Sequence, residues 1–330
     1  MLKFGVYRMD QFRALQRGGL AAALRSRLTR GRISLQLLAA EAPLAEKVAL
    51  FNAVIPGLLL SSGVFRTTFR GRFQKLDAWA GAILADHFPA ASSLDIHDWA
   101  ASDCSTTADW AAAIWERYPE ARLTASDLTL FLIEAALPGG PAFVVDPAGG
   151  ALQYIRPPFV VRLSPPERPL LAVNWLLCRR ALSRLPDLWR RWAVPADWID
   201  SAGEVLDQPP YFFRKISLIH PEAQALAKSS SRFTIRRHSA FDVLPAPCDV
   251  IRSMNIFNPS YFDPPRLREG VAAVWRSLRP GGLWIIGRTW QDRPPLHRAS
   301  VFVKRAAGFE RIGRYEEGSE IDDLVLTATF

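Results

Sequence analysis

Residues 248–291 constrain the fold more than any other stretch of this chain. They read CDVIRSMNIFNPSYFDPPRLREGVAAVWRSLRPGGLWIIGRTWQ. An apolar run at 249–251 leads into a polar corner at Asn255. Asp263-Pro264-Pro265 has the character of a helix start: aspartate caps well, and proline is tolerated where backbone N–H groups have no intrahelical partner. Leu267, Val271, Val274 and Leu278 follow at spacings of four, three and four, which places them on one helix face. Pro280-Gly281-Gly282 stops that helix. The apolar run at 283–286 then suits a strand buried on both faces. Strand, loop, helix, Pro-Gly-Gly and strand make a βαβ unit.

The rest of the chain supplies the other half of such a sheet. Residues 92–99 (SSLDIHDW) suit a first strand, 106–118 a helix carrying Trp110, Ile114 and Trp115, and 122–126 a second strand ending at Asp127. This is the opening of a Rossmann-like sheet. A helix at 221–228 and a strand at 233–236 lead back to the 248–291 unit. At the C-terminal end, 309–314 and 324–329 read as two strands joined by an acidic loop. Residues 1–90 read as mostly helical, with apolar spacing at 20–28, 35–50 and 75–87. Residues 138–214 break the pattern with Pro-Gly-Gly, Gly-Gly and repeated Pro-Pro, and read as an inserted cap. The expected organisation is therefore a helical N-terminal region, 1–90, and an α/β domain, 91–330, with an insertion at 138–214.

The 330 residues carry 41 Lys and Arg against 32 Asp and Glu, a net charge of +9. The excess is local. Lys3, Arg8, Arg13, Arg17, Arg25, Arg27, Arg30 and Arg32 face only Asp10 in the first 32 residues. A second concentration spans 162–191, where Trp175, Trp189, Trp192 and Trp198 lie on or beside a run holding Arg179, Arg180, Arg184, Arg190 and Arg191. Such segments are solvated faces, or they attract an anionic membrane surface or a protein partner. No signature of specific nucleic-acid binding is present. Cys104, Cys178 and Cys248 are odd in number and far apart, which gives no disulfide framework, and neither cysteine nor histidine spacing draws a metal site. The first residues lack the apolar core of a signal peptide, and 48–65 holds too many polar and breaking residues for a span. A cytoplasmic location is expected, with peripheral membrane attachment as an alternative.

Set in order, Asp103-Cys104-Ser105-Thr106, Asp127, Asp249-Val250-Ile251, Asn255, Tyr261-Phe262 and Leu278-Arg279-Pro280-Gly281-Gly282 form a pattern. It resembles the class I S-adenosylmethionine-dependent methyltransferases. Within them it is most similar to the chemotaxis-receptor glutamate methyltransferases. The resemblance covers about 92–137 and 216–330. It implies a Rossmann-like methyltransferase sheet, S-adenosylmethionine as cofactor, and a small-molecule or protein acceptor. It further implies that Ala101, Ser102 and Asp103 lie under the methionine moiety. Asp127 would take the ribose hydroxyls, since a carboxylate accepts two hydrogen bonds from a diol. Ser239 and Phe241 would border the adenine, and Asn255 would line the cavity near the transferable methyl group. The tryptophans and arginines of 138–214 would suit an apolar, anionic acceptor.

Other readings of these residues stand beside this one. Asp127 could cap a helix from 129 onward, and Asn255 could be a turn residue. Asn258-Pro259-Ser260-Tyr261 is similar to a motif of amino-group methyltransferases of DNA, or is simply a turn. The chain departs from the family at the first loop, where Ala100-Ala101-Ser102-Asp103-Cys104 contains no glycine. Asp98 or Asp103 could offset this by pairing with a ligand cation. A catalytically inactive, methyltransferase-like scaffold or partner subunit is the alternative function. A nicotinamide enzyme is disfavoured, because no GxGxxG follows the first strand.

Overall fold

The computed structural model describes residues 4–17, 32–61, 63, 66, 68–89, 93–137, 140–166, 169, 171–292 and 294–330. It divides into two units. One comprises 1–67 with 129–221, the other 68–128 with 222–330.

The second unit holds the candidate site. Its strands are β1 (Asp95–Trp99), β2 (Arg122–Asp127), β9 (Phe233–Arg237), β10 (Cys248–Met254), β11 (Leu278–Asp292), β12 (Pro295–Lys304) and β13 (Phe309–Tyr315). They form one sheet in the order β13-β12-β11-β10-β1-β2-β9. The five from β9 to β11 are parallel, and β12 and β13 are antiparallel. This is the Rossmann-like sheet expected. The chain runs outward from β1 to β9, then returns to β10 on the other side of β1. The strand order therefore reverses between β1 and β10, and ligands of open α/β sheets bind beyond the strand ends at such a point.

Strand alternation decides what packs where. Ile251, Trp284 and Ile286 join Leu267, Val271 and Val274 of the helix Pro264–Ser277 in one core. That helix starts as expected: Asp263 Oδ1 accepts the N–H of Arg266 at 3.0 Å. It ends at Ser277, and Gly281 takes φ +77°, a conformation that strains other residues. Arg252 points to the opposite face, where Asp77 of the helix Gln74–His87 and Thr107 and Trp110 of the helix Ser105–Arg117 gather around Asp98 and Arg252.

The C-terminal end differs from expectation. The stretch 324–329 is not a strand; a helix, Asp322–Thr327, occupies it. Asp322 and Asp323 lie in its first turn, where acidic side chains favour the helix N-terminus, and Ile321 and Val325, four apart, bury together in the core. The antiparallel partner of β11 is instead β12, a strand absent from the sequence reading.

In the first unit, β3 (Phe131–Ala136), β4 (Ala142–Val145), β5 (Ala151–Arg156), β6 (Phe159–Arg162), β7 (Val205–Gln208) and β8 (Tyr211–Ser217) form an antiparallel sheet, ordered β6-β5-β4-β3-β8-β7. The helix Ala172–Trp192 packs on one face through Cys178, Ala181, Leu185 and Trp192. Leu35, Phe51 and Ile55 pack on the other. The boundaries thus fall elsewhere than expected. β3 bonds to both β4 and β8, so 129–137 and 215–221 join the segment read as 138–214. Residues 1–67 belong with it, whereas 68–90 belong with the parallel sheet. The helix expected at 20–28 lies outside the described residues. Among the described residues, no helix is long and apolar enough to cross a membrane.

Candidate functional site

The loop after β1 is the centre of the site. Ala100, Ser102 and Cys104 have φ of +56°, +56° and +63°. Three alternate non-glycine residues therefore sit in the left-handed region, each at a cost of about 1 kcal/mol. Local bonds hold the loop there. The N–H of Ala101 donates to Ser126 O at 2.9 Å, that of Ser102 to Asp127 Oδ2 at 2.8 Å, and that of Cys104 to Ala101 O at 2.9 Å. Asp103, buried, accepts from both N and Oγ of Ser105 at 2.9 and 2.7 Å. The loop keeps the backbone that glycine would adopt freely, and keeps it without glycine.

The candidate residues fall in three places. Ala101 and Ser102 bond to Ser126 and Asp127 at the ends of β1 and β2, and Asp103, in the same loop, bonds to Ser105. The alternative of Asp127 as a helix cap is excluded, because β3 follows it. Ser239 and Phe241 lie after β9. Ser239 Oγ accepts the Phe241 N–H at 3.2 Å, forming a turn. The Phe241 ring stands edge-on to Phe257 and Phe262, and the Arg266 guanidinium carbon lies 3.9 Å from its centroid. Asn255, at φ +64°, takes Gly287 O on its own N–H at 2.8 Å and accepts the Thr289 N–H on Oδ1 at 2.7 Å. It fastens the end of β10 to β11. Asn258 Oδ1 accepts the Ser260 N–H at 3.1 Å, so 258–261 is a turn.

Asp98 is not available to a ligand. Arg252, 1% exposed, donates to it from Nε at 3.0 Å and Nη2 at 2.5 Å, and from Nη1 to Asp77 at 2.7 Å. Thr107 adds a hydroxyl bond to Asp98, and the Trp110 ring lies 4.2 Å from the guanidinium carbon. Burial pushes the Asp77 carboxyl up to about 6, against the pull of Arg252. Burial alone would lower the Arg252 pKa, but Asp98 and Asp77 outweigh it and the net shift is upward. Asp103 is likewise used, by Ser105.

Two site residues carry no motif in the sequence. The rings of Trp99, the last residue of β1, and His238, after β9, lie 5.0 Å apart between centroids. Trp99 Nε1 and His238 Nε2 are buried without a hydrogen-bond partner. Buried polar atoms left in this state are costly, and Trp110, Trp192 and Trp198 Nε1 share it. Burial lowers the His238 pKa, with Asp242 opposing, so the ring is neutral near pH 7 and one nitrogen can accept. His238 also donates its backbone N–H to Asp127 O at 3.2 Å, which puts it at the edge of the loop cluster. β2 separates β1 from β9 in the sheet, so nothing in the linear order pairs these two. Nearby, an open hollow of about 520 Å³ is lined by Tyr261, Phe262, Asp263, Pro265, Arg266 and Glu269.

No family model matches the chain, and no curated protein matches it. Solved structures do. A putative sarcosine dimethylglycine methyltransferase from Galdieria sulphuraria is 10% identical, with 65% of this chain and 47% of that one covered and a TM-score of 0.31. A sugar N-methyltransferase from Streptoalloteichus is 11% identical over 76% and 78%, with a TM-score of 0.30. An N-methyltransferase from Bradyrhizobium japonicum in complex with S-adenosyl-L-homocysteine is 11% identical over 68% and 65%, with a TM-score of 0.29. The chain spans about half the length of the first of these. At this level of similarity the description of the fold rests on the strand order itself.

Proposed function

We propose that the chain transfers a methyl group from S-adenosylmethionine to an acceptor with apolar and anionic character. The observation that carries this reading is the 100–104 loop. Its three left-handed residues, with Ser102 held by Asp127, lie beside the point where strand order reverses. The residues present fit the cofactor in three respects. The Asp127 carboxylate, at the end of β2, has the chemistry to accept hydrogen bonds from a ribose diol. Trp99 Nε1 and His238 Nε2 are a donor and an acceptor that lack partners, buried at the ends of β1 and β9, and an adenine edge would reach them only by entering between the two rings. The Phe241 ring, after β9 and against Phe257 and Phe262, supplies apolar surface. Ala101, Ser102 and Asp103 would lie beneath the methionine moiety, and Asn255 would border the methyl group.

When bound, the cofactor supplies an electrophilic methyl on a sulfonium. The chain's own part is to hold the acceptor in line with it, which needs no obligatory base. The hollow beside Tyr261 and Phe262 offers aromatic surface for such an acceptor; its one cation, Arg266, pairs with Glu269.

A second reading, a catalytically inactive scaffold or partner subunit, has its own support. Asp103, Asp127 and Asn255 each already bond within the chain, and the side chains at 100, 102 and 104 occupy space that glycine would leave. Equilibrium dialysis against S-adenosylhomocysteine separates the two. Saturable retention by the wild type supports the enzyme; none at millimolar ligand leaves the scaffold.

A further inference from the structure

The helix Ala172–Trp192 presents two chemistries. Its inner face is core, with Cys178, Ala181, Leu185 and Trp192 buried. Its outer face exposes Val173 at 44%, Leu176 at 59%, and Arg179, Arg180, Arg184, Arg190 and Arg191. At 100° per residue these seven fall within an arc of about 140°, along a helix about 31 Å long. The one acid on that face, Asp187, bonds to Arg190 at 2.5 Å. Among the described residues, no carboxylate pairs with Arg180, Arg184 or Arg191. The Arg179 guanidinium carbon lies 5.0 Å from the Trp175 ring centroid.

A row of arginines alone would be a solvated face. The exposed Val173 and Leu176 on the same arc, at one end of the row, are what a purely solvated face does not need. Guanidinium groups bond phosphate oxygens in pairs, and their methylene stems lie along apolar surface with the charge at the headgroup level. Exposed aliphatic side chains enter the acyl boundary, whereas binding to single-stranded nucleic acid would call for exposed aromatic rings on which bases stack.

We propose that this face docks the protein on a bilayer containing anionic phospholipid, with Val173 and Leu176 at the acyl boundary and Arg180, Arg184 and Arg191 on phosphate groups. The docking does not depend on the methyl-transfer reading. Co-sedimentation of the full chain with vesicles tests it, using three parts phosphatidylcholine to one part phosphatidylglycerol against phosphatidylcholine alone. The wild type pellets with the mixed vesicles, and high salt releases it. Joint replacement Arg180→Gln, Arg184→Gln and Arg191→Gln weakens binding roughly a hundredfold, at about 1 kcal/mol per basic residue. Leu176→Gln weakens it at unchanged charge. All four positions are exposed, so the variants keep the wild-type thermal transition. Failure of the wild type to pellet overturns the proposal. So does pelleting by the triple variant at wild-type strength, since the contact would then lie elsewhere. An unchanged Leu176→Gln, or arginine-dependent binding of an oligonucleotide without vesicle binding, overturns it as well.

Discussion

Ser102 donates its backbone N–H to Asp127 Oδ2 at 2.8 Å, joining the loop after β1 to the end of β2. One carboxylate thereby holds the loop in its left-handed shape, and in the proposed reading it is also the group that takes the ribose diol. The positions on either side, Ala100 and Cys104, share that shape. Structure and candidate function therefore depend on the same contact.

If the loop stores strain, glycine relieves it. Ala100→Gly and Ser102→Gly should each stabilise the protein by up to about 0.5 kcal/mol, the left-handed penalty of about 1 kcal/mol less the flexibility that glycine adds to the unfolded chain. Urea unfolding at neutral pH measures this. Destabilisation by both substitutions would show that the loop is not strained.

The Asp77–Arg252–Asp98 group gives a pH signature. The Asp77 carboxyl titrates at about 6 in the fold against an ordinary value of 3.8, with burial the first cause. Between those values the folded chain holds a proton that the unfolded chain has released. Stability contributed by this site therefore falls as pH rises across that window, and levels off above it. From pH 5 to 7.5 the loss is about 1.5 kcal/mol. Asp77→Asn should remove that slope, as read from urea melts at the two pH values. A variant with the wild-type slope would place the titration elsewhere.

Asn255 does two things that different substitutions separate. Asn255→Ala loses the bond to the Thr289 N–H and keeps a side chain at positive φ, for a loss of about 2 kcal/mol. Asn255→Gly loses only the bond, for about 1 kcal/mol. Chemical denaturation ranks them. Glycine as harmful as alanine would mean that the backbone conformation at 255 carries no strain.

Much of the parallel sheet was legible because its signals are local. The Asp263 cap, the spacing of Leu267, Val271 and Val274, and the Pro280-Gly281-Gly282 stop all lie within one βαβ unit. The antiparallel sheet was not, because β3 pairs with β8 across a long stretch of chain and its strands are short apolar runs that leave helix and strand undecided. At the C-terminal end, Leu324 to Leu326 have strand character by composition, but Asp322, Asp323 and the burial of Val325 make a helix. Asp127 and the loop were paired by order along the chain, and the fold joins them through Ser102. Arg252 was missed because its partners Asp77 and Asp98 are distant in sequence and meet it only in the fold. Trp99 and His238 were missed for the same reason.

The central claim is that the 100–104 loop and Asp127 form a nucleoside site. Calorimetric titration of S-adenosylmethionine and S-adenosylhomocysteine into the wild type and Asp127→Ala tests it most directly, with thermal unfolding of both proteins run alongside. The wild type should bind both ligands. Asp127→Ala, still folded, should bind at least tenfold more weakly, as loss of a charge-assisted hydrogen bond requires. No heat of binding up to millimolar ligand, or equal affinity in the two proteins, would contradict it.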